Sequence, residues 1–320
     1  MTGYEALRSA VAWIDLSGRG KIRVTGEDNA RLLHAMCTND VKNLAAGTGL
    51  YAFFLSDKGR ILADSYIYRL GDVFLLDTEP EAAGILRDHL DRYIIADDVT
   101  LDDETATLAA IGIEGPTSHN AAAGLGLPVP ARQYAIESWQ NGFVAHVSST
   151  GAPGLRVFLP VAEKAAFLDR LNAANMYGAD AAEARVVRLE HGTPRFGEDI
   201  TSRYLAQETQ VAQAVHSNKG CYLGQEIVER VRAQGQVHRL LSAVRVASSN
   251  PPEPGSKLLA GGQPVAEITS AAYSPAYGEV VAMAYVRREA LMNKSALVVA
   301  GSSPEIAASV APQSSPSNLP

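Results

Sequence analysis

Lys219-Gly220-Cys221-Tyr222-Leu223-Gly224-Gln225-Glu226 gathers the reactive side-chain types of this sequence most densely. A lysine, a thiol and an aromatic ring are set among two glycines, and a carboxamide and a carboxylate follow at once. The apolar spacing of Ile227, Val228 and Val231 predicts a helix in EIVERV, which puts Cys221 just before a helix N-terminus. Unpaired N–H groups and the helix dipole at such a place favour a thiolate over a thiol, and Lys219 adds positive charge two residues upstream. Gly220 and Gly224 permit positive φ or close approach of a ligand to the backbone. Glu226 and Arg230 stand at i and i+4, an orientation that steadies a helix start, and Tyr222 offers a flat face beside the thiol. The competing reading is a buried, inert cysteine in a glycine-rich turn.

Chemistry of other kinds finds less support. The chain has two cysteines in 320 residues, too few for a disulfide framework. Cys37, in LLHAMCTND, reads as a small core residue. There is no CxxC, HExxH or clustered His/Cys spacing, so neither a structural zinc nor a self-ligated iron–sulfur cluster is expected, and no metal site is assigned. A formal net charge of −7 argues against a general nucleic-acid-binding surface. Arg230, Arg232, His238 and Arg239 crowd locally into ERVRAQGQVHR, either as a solvated helix end or as a landing site for an anionic ligand tail. The first residues lack the pattern of a signal peptide and no apolar run is long enough to cross a bilayer, so the expectation is a cytoplasmic protein with no membrane partner.

The elements that must position these residues follow from periodicity. KIRVTG, YAFFLS, RILADSYIYRL and GDVFLLD alternate as strands, with Asp57-Lys58-Gly59 as a turn between the second and third. EDNARLLHAMCTNDV, EAAGILRDHLDRYI and VAEKAAFLDRLNAA carry apolar residues at helical spacing. Hairpin-like connections among mixed elements predict an α+β fold, and no glycine-rich phosphate loop supports a nucleotide-binding one. From about Leu240 the texture becomes short β-rich runs broken by Pro and Gly, as in a small barrel. The division expected is a two-lobed α+β region over 1–236, a β-barrel over 237–301 and a disordered Ser/Pro/Ala-rich tail over 302–320.

KGCYLGQEIVER resembles the signature of the YgfZ family of folate-binding proteins, which includes mitochondrial iron–sulfur assembly homologues. GEDNARLLHAMCTNDVKNLAAGTGLYAFFLSDKGRILAD resembles the N-terminal segment of the wider family containing the glycine-cleavage T-protein. RLEHGTPRFGEDI, at 188–200, is similar to that family's RLExG…GxD segment, and ITSAAYSPAYGEVVAMAYV to its barrel. The resemblance implies a ring of two α+β lobes and a C-terminal barrel around a central folate site, with tetrahydrofolate or a one-carbon derivative as cofactor. It implies that Glu190 grips the pterin, whose N–H fork a carboxylate can accept in a bidentate way. Tyr222, Gln225, Glu226, Arg230 and Arg239 are then expected at the folate, the arginines facing its glutamate tail.

Three departures separate this chain from T-proteins. Ala63-Asp64 stands where they carry an Asp-Asp pair, and SSTGAPG, at 148–154, where they carry Gly-Tyr-Thr-Gly-Glu. T-proteins also lack a cysteine matching Cys221. The implied function is a tetrahydrofolate-binding protein that assists iron–sulfur cluster assembly or repair in client proteins, tRNA-modifying enzymes among them. Cys221 would be its reactive thiol, Lys219 the activator, and Asp64 an acid or base. The alternatives are a folate-dependent aminomethyl- or methyltransferase and a binding module without chemistry.

Overall fold

A computed structural model describes residues 1–235 and 237–311 of the chain. The first lobe is a five-stranded antiparallel sheet in the order Thr48–Leu55, Ile61–Leu70, Val73–Thr78, Gly20–Thr25, Thr100–Asp103. Period-two alternation gives each strand two faces. Ile22, Val24, Ala63, Ile67 and Leu76 point to one side, where they meet Leu32, Leu33 and Met36 of helix Asn29–Met36 and Leu86 and Leu90 of helix Pro80–Asp91. The first helix is shorter than its periodic stretch: it ends at Met36, and Cys37, fully buried, adopts an extended conformation that starts the next connection.

The second lobe is a six-stranded sheet in the order Tyr177–Ala179, Ala12–Asp15, Leu108–Glu114, Gly154–Pro160, Gly142–Ala145, Ile136–Trp139. Only its edge pair, Ala12–Asp15 with Tyr177–Ala179, is parallel. Helices Ser118–Gly124 and Lys164–Ala173 lie on its outer core, with Ile111, Ile113, Val157 and Phe167 between. The inner faces of the two sheets meet through Tyr68 and Leu75 from one side and Phe143 and Phe158 from the other. Tyr68 sits edge-on to both phenylalanines, at centroid distances of 5.6 and 5.5 Å. Such an arrangement favours ring quadrupoles as well as burial.

The barrel is closed, in the order Arg239–Val246, Glu279–Arg287, Gln263–Ser274, Lys257–Ala260, Leu297–Val299, Ala307–Val310. Its last strand corrects the boundary expected at residue 301. Ala307–Val310 pairs with Leu297–Val298 on one side and Val244–Val246 on the other. Closure removes the open edges that a five-stranded sheet would leave. Main-chain pairing therefore recruits a segment whose small side chains gave little hint of order. The rest of the expected tail, 312–320, lies outside the described residues.

Helix Ala181–Glu190, started by a capping box between Asp180 and Glu183, packs on two barrel strands. The loop after it is pegged into the barrel by Asp199. This fully buried carboxylate accepts hydrogen bonds from Thr269 Oγ1 (2.6 Å), Ser270 Oγ (2.5 Å) and Arg188 Nη1 (2.6 Å). With the Arg195 N–H at 3.1 Å as a fourth donor, the carboxylate's acceptor directions are used, the condition under which a buried charge is tolerated. Among the described residues, no helix is long and apolar enough to cross a membrane.

Candidate functional site

A cavity of about 1100 Å³ opens between the two sheets and the segment that follows helix Ala181–Glu190. Strand Ile61–Leu70 supplies its chemistry by alternation: Asp64, Tyr66 and Tyr68 share the inward face, Tyr68 fills the inter-sheet core, and Asp64 and Tyr66 line the space. Tyr51 lies opposite Tyr66 on the neighbouring strand and donates its hydroxyl proton to Asp64 Oδ2. Tyr134 enters from the second lobe, so three tyrosines border one region, with ring centroids 5.1 Å (Tyr51–Tyr66) and 6.2 Å (Tyr66–Tyr134) apart.

Asp64 is only 5% exposed. Burial, and then the neighbouring Glu79 carboxylate, push its carboxyl up to about 7, while the Tyr51 hydroxyl and Arg19 pull the other way. A carboxyl poised near neutrality can give or take a proton at little cost, which is the property required of a general acid or base.

Beside Asp64 stands a buried ion network. Asp77, with no exposed surface, accepts from Arg19 Nε (2.7 Å) and from Arg156 Nη1. Burial raises the Asp77 carboxyl, but Arg156 and Arg19 outweigh it and hold the group below the usual carboxylate range. Arg19 also binds Glu79, which Arg195 reaches at 2.9 Å. Both Asp77-bound guanidinium groups lie over the Tyr66 ring, at 5.9 Å for Arg19 and 5.0 Å for Arg156. The network fixes the aromatic wall, its guanidinium groups matched by Asp77, Glu79 and, at Arg195, Glu81.

The second lobe contributes SSTGAPG. Glu114, fully buried at the end of its strand, accepts from Ser149 N–H (2.7 Å), Ser148 Oγ (2.7 Å) and Thr150 N–H (2.9 Å). Ser149 Oγ in turn accepts from Arg156 Nη2 at 2.7 Å. The segment that departs from the T-protein pattern is therefore an ordered wall of the same cavity. Arg185, Arg188, Arg195 and Glu198 form the third side, and no barrel residue lines it.

Of the candidate catalytic and folate-binding residues expected from the sequence, Asp64 lines this cavity and the others do not. Glu190, the expected pterin ligand, is directed elsewhere. It accepts from Tyr4 Oη (2.6 Å) and Ser274 Oγ (2.5 Å), and pairs with Arg8 at 2.8 Å, joining the N-terminal helix to the barrel. It ends its helix on the face turned from the cavity, whereas Arg188 and His191 line the space.

Lys219 directs its hydrogen bonds away from Cys221. Its ammonium is buried and donates to the carbonyls of His34 (2.5 Å), Cys37 (2.6 Å) and Asn39 (2.8 Å), beneath the Tyr222 ring at 4.8 Å. This is a lysine closing the negative end of helix Asn29–Met36. Tyr222 is 8% exposed and belongs to the first lobe's core.

Cys221 is exposed, on the turn before helix Gln225–Gln234, and outside the cavity lining. Gly224 precedes that helix at φ 81°, as expected, and a Cβ there would come within 2.6 Å of the Ser56 carbonyl oxygen, so the close approach is made by the protein's own backbone. Gly220 has neither a positive φ nor such a close contact. Gln225, Glu226 and Arg230 follow on the same helix, away from the cavity. Arg239 is also outside it: its Nε donates to Glu208 at 2.7 Å, and its guanidinium lies over Tyr204 and Tyr285. The sequence reading missed Arg19, Tyr51, Tyr66, Asp77, Glu79, Glu114 and Arg156. For Asp77, Glu114 and Arg156 the available signal was charge at inward positions of apolar strands, as in GLRVFLP; Arg19 and Glu79 flank strands, and Tyr51 and Tyr66 carry no charge to mark them. Among the described residues, no group of three or more His, Cys, Asp and Glu side chains is gathered to hold a metal ion.

The chain was compared with known proteins. The GCVT N-terminal domain matches residues 2–219, and the glycine cleavage T-protein C-terminal barrel domain matches 239–314. An aminomethyltransferase of Thermus thermophilus is 30% identical over 295 residues, covering 89% of this chain and 82% of that protein. One of Rubrobacter xylanophilus is 29% identical over 296 residues, covering 89% and 78%. The crystal structure of glycine cleavage system aminomethyltransferase T from Bartonella henselae shares the fold, with a TM-score of 0.89 over 97% of this chain and 87% of that one at 22% identity. Two family domains in order over nearly the whole chain, on the lobes and barrel described above, place this protein in the glycine cleavage T-protein family.

Proposed function

We propose that the cavity binds tetrahydrofolate and that the protein is of the YgfZ type, assisting iron–sulfur cluster assembly or repair in client proteins through Cys221. The chemistry of the lining supports the ligand. Tyr51, Tyr66 and Tyr134 offer faces to a flat heteroaromatic ring and Asp64 an acceptor to its N–H groups, while the lining arginines Arg185, Arg188 and Arg195, already paired with Glu198, Asp199, Glu79 and Glu81, would have to share their donors with an anionic tail. Tetrahydrofolate would supply the one-carbon-carrying nitrogens, and Asp64 would hold or release a proton beside them.

The observation that carries the branch is the position of Cys221. It is exposed in KGCYLGQE, outside the cavity, and falls in 220–238, between the two matched family domains. A thiol presented to solvent suits exchange with another protein. A second reading, folate-dependent aminomethyl transfer, is favoured by Asp64 near neutrality beside Tyr51 and by the names of the relatives.

Complementation separates the two. Cells lacking the protein receive wild type, Cys221→Ser or Asp64→Asn, and the activity of iron–sulfur tRNA-modifying enzymes is measured beside one-carbon turnover by the purified proteins. The proposal expects Cys221→Ser to fail in restoring the iron–sulfur enzymes. Full restoration by Cys221→Ser, with aminomethyl turnover that Asp64→Asn abolishes, would establish the second reading instead.

A further inference from the structure

We propose that the face built by helix Gln225–Gln234 and the barrel residues Arg287 and Arg288 docks an acidic surface of a protein partner. The proposal deepens the client-facing reading of Cys221 and rests on it. Arg230, Arg232, Arg287 and Arg288 are all exposed, and none lines the cavity. Arg288 Nη1 donates to the Gly235 carbonyl at 2.8 Å, which ties the barrel segment to the C-terminal end of the helix. Arg232 Nη1 donates to the Ser217 carbonyl at 3.1 Å, which ties the other side of the helix to the loop leading into Cys221. Exposed Lys58 belongs to the turn whose Gly59 packs against Ile227 of the same helix. These cations and the thiol are linked through one set of adjoining segments, with Arg230 at most about 22 Å along the chain path from Cys221, four steps before the helix and five within it.

Charge complementarity selects the partner. The chain carries 35 carboxylates against 28 lysines and arginines, whereas on this face Lys58, Arg230, Arg232, Arg287 and Arg288 outnumber Asp57, Glu226, Glu229 and Glu289, an excess opposite in sign to the rest. Arg232 has a carboxylate, Glu229, only at 3.7 Å, a solvent-exposed pair that contributes little. Met292, 72% exposed and four residues after Arg288, adds an apolar contact on the same short helix. Methionine with arginine is the composition of protein–protein interfaces. Among the described helix and barrel residues of this face, no large aromatic is exposed for stacking on bases. A protein surface fits these features better than nucleic acid.

The test uses the full chain and two synthetic peptides, one rich in Asp and Glu, one of Gly and Ser, each bearing a fluorophore and a pyridyl disulfide. Attack by the Cys221 thiolate forms a protein–peptide disulfide and releases pyridine-thione, whose absorbance gives the rate; anisotropy of disulfide-free peptides gives binding alone. Docking predicts that Arg230→Glu/Arg232→Glu weakens acidic-peptide binding about tenfold at low salt, that added salt erases the difference, and that the neutral peptide reacts alike with both proteins. Equal binding of the acidic peptide by both proteins overturns the proposal. So does an RNA oligomer of matched charge that displaces the peptide at lower concentration than free acidic peptide does. A Cys221 inert to both pyridyl disulfides, with anisotropy still sensitive to the charge reversal, sustains docking and sinks the thiol reading separately.

Discussion

Replacing Asp64 by asparagine should make the protein more stable, and the gain should depend on pH in a defined way. The folded state holds this carboxyl near 7, chiefly by burial and then by Glu79, whereas an unfolded chain returns it to about 3.9. Between those values the native protein keeps a proton that the unfolded chain has lost, so stability falls as pH rises. The difference of about 3 pH units corresponds to a loss on the order of 4 kcal/mol, fully present below about pH 4 as stability retained and gone above about pH 7. Asparagine has similar shape, can still accept the Tyr51 hydroxyl proton, and carries no such penalty. Urea unfolding of both proteins from pH 4 to pH 8.5 should give nearly equal stabilities at the acid end. The gap should then widen by about 1.4 kcal/mol per pH unit and level off near pH 7. Parallel curves across that range, or a gap that narrows with rising pH, would refute the assignment of a neutral, buried Asp64.

Three further outcomes are expected. Asp77→Asn leaves Arg19 and Arg156 buried without their shared counter-charge and should destabilise the protein by about 3–5 kcal/mol, read as a lowered urea midpoint. Iodoacetamide should label Cys221 in the native protein while Cys37, buried and with its thiol pushed up by burial, reacts only after denaturation; peptide mapping distinguishes the two. Asp199→Ala should remove the acceptor of Thr269, Ser270 and Arg188 at once and cost about 3 kcal/mol or more, with limited proteolysis cutting first between the lobes and the barrel.

The sequence carried the fold clearly wherever burial followed a period. ILADSYIYRL alternates because one face meets helices and the other meets a second sheet, and that alternation is visible without any structure. It failed at Ala307–Val310, where main-chain pairing on both sides places a strand that side-chain burial alone would not. The site was less legible. Arg19, Asp77 and Arg156 are separated by 58 and 79 residues along the chain, and their partnership exists only once two sheets face each other. A dense motif drew attention to Lys219, Tyr222 and Glu226, yet two of these are absorbed in holding the turn and the third is exposed on the helix. Motif density reported a shaped surface element there, not a cavity. Glu190 shows the same limit: its place in the RLExG segment is kept, but Tyr4, Arg8 and Ser274 occupy its carboxylate.

The proposed folate cavity and the Cys221 thiol lie at separate places on the molecule. Calorimetric titration of tetrahydrofolate into wild type, Arg156→Ala and Cys221→Ser tests that separation of roles most directly. Equal affinity for wild type and Cys221→Ser, with affinity lost in Arg156→Ala, is the predicted result. Absence of tetrahydrofolate binding by the wild type, or binding that depends on Cys221 and ignores Arg156, would contradict it.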